Sequence, residues 1–172
     1  MVLEPVIVEG LPKSIRLVKD VEFVRGLGEL LTTANRLGLK VYVITNQPDV
    51  DRGYTSEEEV ESVHARILGA HPTIGGAYYC PHDDGADCLC RKPKPGLLLQ
   101  AARDHNLDLH KSFFVGDRWR DVDAGNAAGC FTIFLERGYE EQLNTSPDAK
   151  VSSLASAAAL LGELFTKREQ YV

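Results

Sequence analysis

Val41-Tyr42-Val43-Ile44-Thr45-Asn46-Gln47-Pro48 is a run of four apolar residues, β-branched or aromatic, that passes directly into polar groups and a proline. The run reads as a buried strand that stops at a turn. A continuous apolar stretch, rather than an alternating one, is expected of a strand covered on both faces, as in a parallel sheet. Upstream, Leu27, Leu30, Leu31, Ala34 and Leu37 recur at helical spacing and Gly38 follows them. They predict an amphipathic helix over 25–37 with a glycine stop. Downstream, Ser56 and Glu59 form a capping-box pair that opens a helix reaching about Leu68.

The same alternation continues along the chain. Ala77-Tyr78-Tyr79 reads as a short strand, Pro95 opens a helix to about Asp104, and Phe113-Phe114-Val115 reads as a strand. A helix over 122–128 and a strand over 131–135 follow, and 140–150 is mostly polar. Leu154, Ala158, Leu161 and Phe165 give a closing helix, with Leu164 beside that face. Such an order implies an α/β fold in which helices sandwich a parallel sheet. The loop over 49–55 is expected to be the most mobile connection near the strand ends.

At 172 residues with 44% hydrophobic content, the chain suits a single domain over 1–172 with one full core. A net charge of -6 without a dominant basic cluster opposes nucleic-acid binding. Met1-Val2-Leu3-Glu4-Pro5 lacks the features of a secretory signal, and apolar stretches such as 151–162 are too short to span a bilayer. These features predict a cytoplasmic protein that acts without a membrane, as a monomer or homodimer.

Three of the four cysteines and one histidine fall within eleven residues: Cys80-Pro81-His82-Asp83-Asp84-Gly85-Ala86-Asp87-Cys88-Leu89-Cys90. The C-x-H-x5-C-x-C spacing suits one tetrahedral metal, and a Cys3His set is closed and soft, which points to a structural Zn2+. A disulfide pair or scattered core thiols would also use cysteines, but Asp83, Asp84, Gly85 and Asp87 make a solvated turn unlike a buried strand. Cys130, inside an apolar run, reads as an inert core residue.

In open α/β sheets, ligands collect beyond the carboxyl ends of the strands, so the residues after each strand belong together. Thr45, Asn46 and Gln47 offer a hydroxyl and two amides to phosphate oxygens, although alone they also fit an ordinary turn. Arg91-Lys92-Pro93-Lys94-Pro95-Gly96 holds cations beside a helix start, where an anion site is favoured. A solvated basic run would read the same way. Asp117 and Asp121, in Gly116-Asp117-Arg118-Trp119-Arg120-Asp121, suit a hard Mg2+ ion. One of them would equally serve as a helix cap.

A threonine-bearing strand end, a lysine at a helix start and Gly-Asp-x-x-x-Asp after a further strand, in that order, resemble the haloacid dehalogenase (HAD) phosphatase superfamily. Val43-Ile44-Thr45-Asn46-Gln47, Tyr79-Cys80-Pro81-His82, Cys88-Leu89-Cys90-Arg91-Lys92-Pro93 and Val115-Gly116-Asp117 are similar to its zinc-containing branch. That branch includes heptose-bisphosphate phosphatases and histidinol-phosphatase domains. The resemblance runs from about Phe23 to Leu135. It implies a Rossmann-like parallel sheet with a zinc loop over 80–90 in place of a large cap. It further implies hydrolysis of a small phosphorylated metabolite, with D-glycero-D-manno-heptose 1,7-bisphosphate first and histidinol phosphate second. By resemblance, Asp117 binds Mg2+ and Asp121 supports its shell. Thr45 and Lys92 hold the transferring phosphoryl group, and Asn46, Gln47, Arg91 and Arg118 contact substrate. Cys80, His82, Cys88 and Cys90 hold Zn2+.

One departure follows from the same resemblance. Family members open with a strand ending in Asp-x-Asp-Gly, which supplies the nucleophile and the general acid/base, and no such motif occurs here. The expectation is that the first central strand is missing from this chain. Loss of a covalent nucleophile costs on the order of 10^6 in rate. Loss of about five buried apolar side chains approaches ~10 kcal/mol. Val6-Ile7-Val8, flanked by Pro5 and Glu9-Gly10, is expected at an edge or in a loop rather than in the vacated centre. A silent, zinc-stabilised phospholigand-binding or partner-binding domain is therefore the competing expectation. His64, His71, His105 and His110 are expected at the surface.

Overall fold

The computed structural model describes residues 2–8 and 10–169. The predicted alternation is present, with boundaries shifted by a few residues. A helix α1 (Leu27–Arg36) precedes strand β3 (Val41–Asn46), and α2 (Glu57–Ala70) leads into β4 (Ile74–Cys80). Then come α3 (Gly96–His105), β5 (Phe113–Gly116), α4 (Trp119–Ala128) and β6 (Phe131–Leu135). A seventh strand, β7 (Ala149–Val151), and α5 (Leu154–Glu169) close the order. Ahead of α1, β1 (Val6–Val8) and β2 (Leu11–Lys13) form an antiparallel hairpin apart from the other strands. The run at 6–8 is thus peripheral, as its flanking Pro5 and Gly10 predict.

Local chemistry accounts for several boundaries. Ser56 Oγ accepts the Glu59 N–H at the start of α2, the first half of the expected capping box. Asn106, in the left-handed region, ends α3. β7 lies in the stretch that composition marks as polar. It is held by Asp148, whose carboxylate accepts the Thr132 N–H at 2.7 Å and its hydroxyl at 3.0 Å. That pairing braces a strand whose parallel ladder to β6 and short Ala149-Lys150-Val151 alternation, with Val151 buried in the core, complete its placement.

All pairings among β3 to β7 are parallel, but they form two sheets rather than one: β3 with β4, and β5 with β6 with β7. A large apolar cluster joins α1, α2 and α5 through Leu27, Leu31, Val63, Ile67, Leu154 and Leu161, and the partly buried Val43 and Val115 pack against it. A smaller cluster on α3 and α4, Leu98, Ala124 and Ala128, takes Ile44 and Phe114. Alternate residues of β3 and β5 therefore face different helical layers, as a two-sided sheet requires. Yet every residue of β3 is only half-buried. Central parallel strands are normally covered.

The reason is a cavity of about 860 Å³. Its wall includes every residue of β3 and three residues of β5, but only Ile74 of β4 and none of β6. The two sheets thus meet across an opening where a single continuous sheet is expected.

Three of the four remaining histidines depart from the surface expectation: His71 is half-buried, with its ring T-shaped against Phe23 at 4.6 Å. His64 is buried on α2 against the Tyr79 ring. His105 stacks on Tyr42 at 4.2 Å and lies 3.0 Å from the Tyr78 hydroxyl. Helical spacing places His64 on the inner face of α2, so burial there follows from the element, not from the histidine. Cys130 is buried just ahead of β6, and burial pushes its thiol up to about 11, in keeping with an inert core residue.

Candidate active site

Thr45, Asn46, Gln47, Arg91, Lys92, Asp117, Arg118 and Asp121 all line this one cavity. β3 delivers Thr45 and Asn46 at its carboxyl end, and Asp117 follows β5 directly. Lys92 links the two. Its Nζ donates to the Ile44 carbonyl at 2.9 Å and to Asp121 Oδ1 at 2.6 Å, so one ammonium touches β3 and the first turn of α4. Asn46 fixes the lysine backbone in both directions: its Nδ2 donates to the Lys92 carbonyl, and its Oδ1 accepts the Lys92 N–H, each at 3.0 Å.

Lys92 is 9% exposed, Asp117 7% and Asp121 6%. Burial pushes the Asp121 carboxyl up, and the charge and hydrogen bond of Lys92 with the local backbone amides outweigh it, so the group is held below the usual carboxylate range. Asp121 Oδ2 accepts the N–H groups of Asp117 and Arg118, both at 3.1 Å. Both of its oxygens are therefore engaged within the protein, one by the lysine and one by the helix start. Gly116 makes this possible, since a Cβ there would sit 2.2 Å from Asp121 Cβ. Asp117 Oδ2 accepts from the Tyr139 hydroxyl at 3.1 Å.

The Cys/His loop lies beside this floor. Cys80 Sγ is 3.6 Å from Cys88 Sγ and 3.1 Å from Cys90 Sγ, and Cys88 and Cys90 are 3.4 Å apart. His82 Nδ1 stands 3.5 Å from Cys80 Sγ and 3.4 Å from Cys90 Sγ. A tetrahedral zinc with Zn–S bonds near 2.3 Å sets ligand-to-ligand edges of about 3.8 Å, slightly longer than these. The four donors fit one such ion. Gly96, at the start of α3, permits the loop to lie close, because a Cβ there would be 2.1 Å from the Leu89 carbonyl oxygen.

Arg91 and Arg118 reach the cavity as ion-paired groups. Arg91 Nε donates to Asp84 Oδ1 at 2.9 Å, and Arg120 donates to the same oxygen at 2.7 Å. Hydrogen bonds from these two guanidinium groups hold the Asp84 carboxyl down at about 2. Arg118 pairs with Glu141 and is half-buried. The Arg120 guanidinium also stacks over Trp119 at 4.8 Å. Residue reading missed Asp84, Arg120, Tyr139 and Glu141. Only Asp84 carries a local signal, an acidic turn seven residues before Arg91.

The loop over 49–55 is more tied down than its composition predicts. Asp49 is buried, and it accepts from Arg16 at 2.6 Å and from Arg52 at 3.4 Å. Arg52 also forks onto Asp83 at 2.8 and 2.5 Å, joining this loop to the metal-type loop.

Comparison with known proteins agrees with this arrangement. Residues 89–157 match the HAD-hydrolase-like family. A D-glycero-beta-D-manno-heptose-1,7-bisphosphate 7-phosphatase of Helicobacter pylori (strain ATCC 700392 / 26695) is 40% identical over 114 residues, covering 62% of this chain and 65% of the relative. This chain therefore spans just under two thirds of that relative's length. The enzyme of the same name from Photorhabdus laumondii is 32% identical over 131 residues, 70% of each chain. Among solved structures, D,D-heptose 1.7-bisphosphate phosphatase from B. bronchiseptica, complexed with magnesium and phosphate, superposes with a TM-score of 0.80. It is 22% identical and aligns over 95% of this chain and 94% of the other. Fold, site order and sequence identity together place the chain in the HAD-like phosphatase family, among relatives named heptose-1,7-bisphosphate 7-phosphatases.

Proposed function

We propose that this site serves hydrolysis of a phosphate monoester on a small sugar, D-glycero-D-manno-heptose 1,7-bisphosphate being the preferred substrate. The single observation that carries the reading is the convergence of Thr45, Lys92 and Asp117 on one cavity at the carboxyl ends of β3 and β5. In phosphoryl transfer most of the catalytic work is positioning and charge stabilisation, and this cavity offers a hydroxyl, a buried ammonium and a carboxylate for it.

Thr45 Oγ1 and Lys92 Nζ would hold the phosphoryl oxygens, and Asp121 keeps the ammonium charged and aimed. Asn46 positions Lys92 from behind, so its role is support as much as substrate contact. Asp117 suits Mg2+, which commonly uses one or two carboxylates together with substrate phosphate and water, and the ion would supply charge neutralisation at the phosphoryl group. Asp121, with both oxygens engaged, acts through Lys92 and the helix start rather than as a ligand. Cys80, His82, Cys88 and Cys90 would hold Zn2+, whose role is to fix the loop carrying Arg91. Arg91 and Arg118 stand where a second anionic group of a bisphosphate would lie. No helix among the described residues is long and apolar enough to cross a membrane, and a reduced Cys3His site suits the cytoplasm.

The opening between β3 and β5 favours the second reading, a catalytically silent phospholigand-binding or partner-binding domain. The attacking carboxylate expected of the family has no counterpart motif in the sequence. Turnover of the heptose bisphosphate with Mg2+, measured beside calorimetric binding of the same compound, separates the two. Hydrolysis well above background supports the enzyme. Saturable binding without hydrolysis supports the silent domain, and the absence of both hydrolysis and binding overturns the phosphate site.

A further inference from the structure

Alternate residues of the segment after β6 reach away from it. Arg137 pairs with Glu4, Tyr139 donates its hydroxyl to Asp117 Oδ2 at 3.1 Å, and Glu141 accepts from Arg118 Nε at 2.6 Å. Arg118 Nη1 in turn donates to the Pro12 carbonyl at 3.3 Å, so this segment, the β1–β2 hairpin and the start of α4 are bonded together. Gly138, with φ at +70°, makes the turn between the first two contacts. An ion pair therefore stands on each side of Tyr139 and holds the phenol in place.

Tyr139 is half-buried and does not belong to the cavity wall, whereas Asp117, Arg118 and Glu141 do. The hydroxyl thus meets the Asp117 carboxylate from outside the cavity. The Asp117 N–H is given to Asp121 Oδ2 at 3.1 Å. Backbone and side chain of the same residue are pinned by different parts of the chain, α4 on one hand and the segment after β6 on the other.

The identity of the bound ion depends on such pinning. Mg2+ demands near-octahedral geometry at about 2.0–2.1 Å, whereas Ca2+ accepts looser arrangements at about 2.3–2.6 Å. Partners that hydrogen-bond to a metal-ligating carboxylate orient it, and losing one costs about 10–100-fold in affinity or activity.

We propose that Tyr139 is a positioning residue for metal binding at Asp117. Its hydroxyl fixes the tilt of the carboxylate, and the fixed tilt favours Mg2+ over the larger Ca2+. The inference rests on the reading of Asp117 as a Mg2+ ligand, and it adds a residue that touches neither the ion nor the substrate. The role belongs to the hydroxyl rather than to the ring.

The test titrates Mg2+ and Ca2+ separately into the full chain by calorimetry, with Tyr139→Phe and Asp117→Asn beside the wild type and denaturant unfolding as the check that each is folded. Tyr139→Phe keeps the ring and both flanking ion pairs, so the fold stays as it is. The expected result is a loss of at least about tenfold in Mg2+ affinity for Tyr139→Phe. Ca2+ affinity should change by less than about twofold, so the preference between the ions falls at least about fivefold. Asp117→Asn should abolish Mg2+ binding. Equal Mg2+ affinity in Tyr139→Phe and the wild type overturns the proposal and leaves the Asp117 reading standing. An equal loss for both ions also overturns it, since the tyrosine would then only brace the rim. Mg2+ binding that survives Asp117→Asn, or none in the wild type, removes the Asp117 reading and the proposal with it.

Discussion

At the scale of single residues, the site depends on Asp121 more than its position in the Gly-Asp-x-x-x-Asp motif suggests. The motif makes both aspartates visible as candidate metal ligands, whereas the structure divides them: Asp117 faces the cavity beside Tyr139, and Asp121 is spent on Lys92 and two backbone amides. Asp121→Asn leaves a buried ammonium without its counter-charge. The expected loss is about 3–5 kcal/mol, read by denaturant unfolding. The pH dependence has a definite sign. The Asp121 carboxyl is depressed in the folded protein, so its contribution is complete above the unfolded value of about 3.9 and is lost as pH falls through the lower folded value. Wild-type stability should therefore fall in acid more steeply than that of Asp121→Asn. Thr45, Lys92 and Asp117 were legible because each stands at the carboxyl end of a strand or shortly ahead of a helix. Tyr139 and Glu141 were not, because their partners lie 22 and 23 residues away and no periodicity links them.

Among the elements, the loop over 80–90 is the most legible part of the chain, since four donors in eleven residues leave few other arrangements. Its connections are less so. Asp84 clasps Arg91 and Arg120, and Asp83 clasps Arg52, so acidic side chains tie the loop to the segment ahead of α3, to α4 and to the turn over 49–55. Metal analysis should find about one zinc per chain. Cys88→Ser or a chelator should lower the melting temperature and loosen Arg91, read as faster amide exchange over 80–94, with smaller change in β6. A structural zinc is worth on the order of 10 kcal/mol in small domains, but here the loss is confined to one loop and its clasps, so a fraction of that is expected. β7 escaped the reading because its apolar alternation is only three residues long, Ala149-Lys150-Val151, and Asp148 braces it through Thr132.

For the molecule as a whole, strand and helix order, the parallel direction and the two-sided core were all readable from hydrophobic periodicity. The division into two sheets follows from a rule about families rather than from any local pattern, because Val41 to Ile44 and Phe113 to Val115 look the same whether or not a neighbour lies between them. Native-state hydrogen exchange should register the difference. β6, paired on both sides, should exchange more slowly than β3 and β5, each paired on one. If β3 and β5 proved as protected as β6, the division would not describe the protein in solution. Trp119 is the only tryptophan of the chain and lies under the Arg120 guanidinium that also grips Asp84. The protein consequently carries its own optical gauge: a shift in emission on adding metal or a phosphorylated sugar would report the state of that clasp without any label.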